Sequence, residues 1–263
     1  MPLRTAEPHR HVVVPALDGL QLAATLIVPG PQPRHAVLML HDAGATREQD
    51  GFYTRLATEL AERGVASLRL DLPGHGDSEG SQEELSLSGL LNVISSGMAY
   101  LRHTVDPTPV SLIAIGLSGG VAAGYTARKA TEVHRLVLLN PLIDYKSYFV
   151  DARPGWAGDG FDQETGRALL AEGRLVLSPT FAVGRAMLNE VFWLQPRTVL
   201  DVIATPTLIV HGAGPTDVPV ESSRAAAEAL TCAHRLVEID GAQRWYWKAP
   251  TIRVVAEWII AGR

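Results

Sequence analysis

A chain of 263 residues that is 46% hydrophobic and 19% charged has material for one large core and too little charge for disorder. A formal net charge of −5, with no Lys/Arg run, argues against a nucleic-acid-binding surface. The single cysteine, Cys232, excludes an intrachain disulfide and a cysteine-based metal site.

Residues 1–10 are polar and lack a signal-peptide core. The longest nearly apolar stretch, 112–123, is interrupted by Gly116, Ser118, Gly119 and Gly120 and is too short to cross a bilayer. The expectation is a soluble cytoplasmic protein with no membrane insertion.

In chain order, residues 12–15 and 21–28 are β-rich runs around Asp18-Gly19 and predict an opening hairpin. The short apolar runs at 36–40 and 65–70 predict strands buried within a sheet, and 110–115, 135–139, 207–210 and 235–239 predict further strands. Between them, helical periodicity covers 52–63, 85–103, 121–130 and 222–230, and Pro250 opens a closing helix. Such alternation predicts an α/β fold with a mainly parallel central sheet and helices on both faces. Residues 143–200 carry no strand signal and two weak helical pieces, near Leu169 and Met187. They are expected to form a helical lid inserted into a core of residues 1–142 and 201–263.

The strongest chemical signal is Gly116-Leu117-Ser118-Gly119-Gly120, after a strand and before a helix. This is the spacing of a nucleophile elbow, in which small residues flank a serine on a tight turn and a helix N-terminus faces any oxyanion formed there. Two further motifs follow earlier strands: His41-Asp42-Ala43-Gly44, and the segment from Asp71 to Ser78, Asp-Leu-Pro-Gly-His-Gly-Asp-Ser. The second reads as a structural turn.

With these motifs the chain resembles the α/β-hydrolase superfamily, especially its lidded esterases, thioesterases and acyltransferases, over all but the lid. The resemblance implies Ser118 as nucleophile and oxyanion-hole N–H groups from Ala43 and Gly119. It also places Asp42, His41 and Trp245 at the substrate. Asp42 departs from the family, which usually has glycine there. A carboxylate would oppose an oxyanion, so Asp42 is expected to point away or to bind a loop.

The rest of the triad does not match. In His211-Gly212-Ala213-Gly214-Pro215-Thr216-Asp217, ungapped alignment puts Pro215 at the acid position, with Asp217 two residues on and Asp144 as another family position. In Gly241-Ala242-Gln243-Arg244, Arg244 stands where the histidine belongs. A guanidinium cannot accept a proton, but it can hold a carboxylate, phosphate or enolate oxygen, or pair with Asp217 or Asp42. Only His41, His75 and His211 lie at the correct sheet edge to replace the base.

The catalytic set is therefore read as Ser118, Arg244 and Asp217. The expected activity is a non-hydrolytic step (cyclisation, elimination or acyl transfer) on a small acyl, ester or thioester compound. An esterase or thioesterase with a rearranged triad, and a non-catalytic pseudo-hydrolase that binds a ligand, remain as alternatives. Nothing in the sequence calls for a metal or an organic cofactor, and oligomeric state is not legible.

Overall fold

Six of the strands, β1 (Arg10–Pro15), β2 (Gln21–Ile27), β3 (His35–Leu40), β4 (Val65–Leu70), β5 (Val110–Ile115) and β6 (Leu136–Leu139), precede residue 140. The computed structural model describes residues 9–105, 109–214, 216–240 and 249–261. Later come β7 (Trp156–Ala157), β8 (Gly160–Phe161), β9 (Arg174–Ser178), β10 (Phe181–Gly184), β11 (Thr207–Gly212) and β12 (His234–Ile239). The helices are α1 (Phe52–Glu62), α2 (Leu87–Val105), α3 (Gly116–Arg128), α4 (Gln163–Glu172), α5 (Arg185–Glu190), α6 (Val220–Ala229) and α7 (Ala249–Ile260).

Eight strands form one sheet in the order β1-β2-β4-β3-β5-β6-β11-β12. The expected α/β architecture holds: β1 and β2 are antiparallel, β2 meets β4 antiparallel, and every pair from β4 to β12 is parallel. Alternation along each strand divides the core in two. In β3, Ala36, Leu38 and Leu40 point into one apolar cluster with α2 and α3, whereas Val37 and Met39 point into the other with α1 and α7. Both faces are thus dry, and β4 and β5 are buried at every position.

Chain order reverses at β3, which lies between β4 and β5. At such a switch point the loops leaving neighbouring strands diverge and open a crevice beyond the strands' carboxyl ends. The loop after β3 and the start of α3 after β5 face each other across it.

Two expectations need correction. The segment between β6 and β11 is not wholly helical: beside α4 and α5 it holds the antiparallel hairpins β7–β8 and β9–β10. Strand β9 alternates exposed and half-buried residues, a two-residue period that five residues show only faintly. The third helix also starts at Gly116, five residues before its expected beginning, and this changes the reading of the elbow.

The 143–200 segment is fastened to the core by polar contacts. Gln82 accepts a hydrogen bond from the Ala182 N–H (2.8 Å) and donates one to the Thr180 carbonyl (3.1 Å). The Glu190 carboxylate accepts from the Leu87 N–H and the Ser88 hydroxyl at the start of α2, where backbone donors lack helical partners. Gly44, at φ +74°, has Thr180 Oγ1 2.6 Å from where a Cβ would stand, so the β9–β10 turn is seated directly on the loop after β3.

Candidate active site

A nucleophile elbow places its reacting residue at the strained turn between strand and helix. Here β5 ends at Ile115, and the left-handed turn residue is Gly116, at φ +56°. Ser118 is not at the turn. It lies inside the first turn of α3, is 1% exposed, and its hydroxyl donates to the His41 carbonyl at 2.6 Å. The residue in the nucleophile's position is Gly116, and the small-x-turn-x-small pattern runs Ala114-Ile115-Gly116-Leu117-Ser118.

The space that a side chain at 116 would take is filled by Asp42. A Cβ built on Gly116 would fall within the Asp42 carboxylate. Asp42 Oδ1 accepts the N–H groups of Ala43 (2.8 Å) and Leu117 (2.9 Å). Those are the two donors of an oxyanion hole: one from the loop after β3, one from the residue following the turn. The expected Ala43 donor is therefore in place, but its companion is Leu117 rather than Gly119, because the elbow is shifted by two residues. The expectation that Asp42 points away is also overturned; it points into the elbow and occupies the hole. The N-terminus of α3 favours an anion at this spot.

Asp42 is held on its other side as well, its N–H donating to Gln49 Oε1 at 2.8 Å. Burial, and secondarily the charge of Asp217, raise the Asp42 pKa from 3.8 to about 6, against the lowering effect of the Leu117 and Ala43 N–H groups. Oδ2 makes no hydrogen bond with the described residues, and Asp42 lines a cavity of about 110 Å³. Its floor is Asp42, Ala43, Gly116 and Leu117. Asp217 and Val218 reach it from the β11–α6 loop, and Tyr148, Arg153, Leu177 and Phe181 roof it from the 143–200 segment. Asp217 thus joins Asp42 at one pocket, which Ser118 does not line.

The three histidines at this sheet edge are all engaged. His41 donates from Nδ1 to the Asp42 carbonyl (2.7 Å) and accepts the Leu72 N–H at Nε2 (2.9 Å); burial lowers its pKa to about 3. His75 donates to the Pro73 carbonyl (2.9 Å) and accepts the Gly44 N–H (3.1 Å). His211 accepts the Ser223 hydroxyl at Nδ1 (2.7 Å) and donates from Nε2 to the Val218 carbonyl (2.9 Å). Burial depresses the last two as well. Each is a neutral loop-fixing imidazole, and none is hydrogen-bonded to Ser118. His41 supports Asp42 from behind and does not line the pocket.

Asp144 is engaged too, accepting the Ser147 N–H at 2.9 Å and pairing with Arg197 at 3.3 Å. Asp71 is absorbed by Arg47, whose backbone N–H it accepts at 2.6 Å, and by the Asp77 N–H at 3.0 Å. Pro215, Arg244 and Trp245 lie outside the described residues. Among those described, no cluster of three or more His, Cys, Asp or Glu side chains is placed to hold a metal. No described helix is long and apolar enough to cross a membrane.

Sheet, elbow and first loop together define one class, and the chain belongs to the Alpha/beta hydrolase family, whose profile matches residues 37–257. Among curated relatives, a 2,6-dihydropseudooxynicotine hydrolase of Paenarthrobacter nicotinovorans is 27% identical over 248 residues, 91% of this chain and 60% of that protein. The chain therefore spans about 60% of that relative's length. Est1E from Butyrivibrio proteoclasticus, solved with ferulic acid, superposes with a TM-score of 0.76 at 24% identity over 94% of this chain and 96% of that one. The hydrolase GrgF from Penicillium sp. sh18 gives 0.74 at 18% identity, over 97% of this chain and all of that one (100%). At these identities the structural likeness concerns the fold.

Two outcomes follow from the Asp42–Gly116 arrangement. Gly116→Ala should destabilise by at least about 2 kcal/mol, from overpacking plus a strained φ, and Asp42→Gly should recover the overpacking part. Urea unfolding of the two single variants and the double variant measures this coupling; additive effects would contradict the arrangement.

The raised pKa means the folded state holds the Asp42 proton more tightly than the unfolded chain does. Stability is then lost as pH rises from about 4 to 6, reaching up to about 3 kcal/mol at roughly 1.4 kcal/mol per pH unit. Asp42→Asn should therefore unfold at higher temperature than the parent at pH 7.5, with the gap closing towards pH 4.

Proposed function

We propose that this protein is an acid–base enzyme of its family, using Asp42 rather than a serine nucleophile on a small acyl, ester or thioester compound. The observation that carries this is the Asp42 carboxylate lodged between the Ala43 and Leu117 N–H groups, at the place an elbow side chain would occupy. An oxyanion hole filled by the protein's own carboxylate cannot also receive a tetrahedral oxyanion, so an acyl-serine route is disfavoured. A carboxyl group with a pKa near 6 is suited to take and return a proton near neutral pH.

In an elimination, Asp42 Oδ2 removes the proton next to the substrate carbonyl, the bond to the leaving group breaks, and the protonated carboxyl returns that proton to the departing atom. In a cyclisation, Oδ2 takes the proton of the attacking hydroxyl or acidic carbon as the new bond forms and passes it to the leaving group. Neither consumes water. Residues 143–200 act as a lid on the core of 1–142 and 201–263; the fastening at Gln82 and the roof residues support that role. Arg244, at the family's histidine position, would add a cation to the same site.

A fluorophosphonate probe should leave Ser118 unlabelled, and rapid labelling there, read by mass spectrometry, would overturn the proposal. In D2O, a panel of small acyl thioesters should include one showing enzyme-dependent deuterium uptake beside the carbonyl, or thiol release without free acid. The rate should rise with pH to a plateau with a midpoint near 6. Asp42→Asn should lower it about 10²- to 10⁴-fold.

A further inference from the structure

The roof of the Asp42 pocket carries a cation, Arg153, that forms no ion pair with a carboxylate among the described residues. The Arg153 guanidinium stands 4.8 Å over the Tyr148 ring, and it also makes a side-chain hydrogen bond with Tyr148 and long hydrogen bonds to two carbonyls. Nε donates to the Tyr148 carbonyl at 3.3 Å and Nη1 to that of Leu177 at 3.4 Å. A guanidinium has five N–H donors, so two are left beyond these three contacts. Asp42 and Asp217 line the same cavity, yet neither forms an ion pair with Arg153 within 4.0 Å. The ring and the two carbonyls fix the guanidinium plane, which lowers the cost of ordering it around a ligand.

We infer that Arg153 is the anion-binding residue of this pocket and that the substrate is a small carboxylic acid with a short apolar body. This rests on the reading of Asp42 as the reacting group. The substrate carboxylate pairs with Arg153 in the roof, its body packs among Leu142, Phe149, Leu177 and Phe181, and its reacting end meets Asp42 at the floor. Size favours a short acid of a few carbons over a long-chain one, since the cavity is about 110 Å³. Polarity sets its orientation, because an acid presented the other way would bring its charge against Asp42 and Asp217.

The test uses three probes with one isobutyl body on the intact protein: 3-methylbutanoate, its neutral amide, and 3-methylbutylamine. Binding is followed by amide 1H–15N shifts of Ala43, Leu177 and Ser178. The acid should give saturable shifts and bind at least 10-fold more tightly than the amide, with the amine weakest. Arg153→Met should remove the preference for the acid while leaving amide binding and the melting temperature near those of the parent; Arg153→Lys should keep part of it. No saturable shift with the acid, equal binding of acid and amide, tighter binding of the amine, or an unchanged preference in Arg153→Met would overturn the inference. The outcomes separate from those of the Asp42 reading, which is judged on turnover. Acid preference with full activity in Asp42→Asn sinks only that reading, and loss of activity without acid preference sinks only this one.

Discussion

Asp42 Oδ1 receives two backbone N–H groups, one from Ala43 and one from Leu117, and the architecture of the site follows from that pair of charge-assisted bonds. The bonds join the loop after β3 to the first turn of α3 across the switch point of the sheet. They require that nothing project from residue 116, and a glycine at a left-handed φ stands there. Carboxylate and glycine are two halves of one exchange, in which the side chain at the centre of the crevice comes from β3's loop instead of from the elbow.

The surrounding polar groups hold Asp42 in this place. Gln49 takes its N–H, His41 donates to its carbonyl, and the other nitrogen of His41 reaches Leu72 in the neighbouring loop. His75 in turn accepts from Gly44 and packs 5.3 Å from the His41 ring. Imidazoles committed in this way stay neutral and rigid. The protein has histidines beside the crevice yet uses them as struts, which leaves carboxyl groups, Asp42 at the floor and Asp217 beside it, facing the cavity.

Much of this architecture was legible in the residues. The all-apolar runs at β3, β4 and β5 and the helical spacing between them define a doubly covered parallel sheet, because only fully buried strands can be apolar on both faces. The departures at Pro215 and Arg244 are read from the residues alone, and both positions lie outside the described residues. The register of the elbow was not. Gly116, Ser118, Gly119 and Gly120 are all small, and one string of letters satisfies two frames offset by two residues. What separates them is the left-handed φ of Gly116, which puts the turn directly after β5 and which a spacing rule does not contain. Asp42 was legible as an anomaly, but its direction depends on an absent side chain 74 positions away. Arg153 carried no signal, since an arginine in a Gly-rich stretch is ordinarily a solvated one. Strand β9 was missed because Val176 points outward and hides the alternation.

The central claim is that the Asp42 carboxylate sits in the oxyanion hole, bonded to the Ala43 and Leu117 amides. An NMR titration that follows the Asp42 carboxyl carbon together with those two amide protons tests it most directly. All three signals should move together with one midpoint near pH 6, and the amide movements should vanish in Asp42→Asn. An Asp42 midpoint near 4, with the Ala43 and Leu117 amides unchanged across it, would contradict the account.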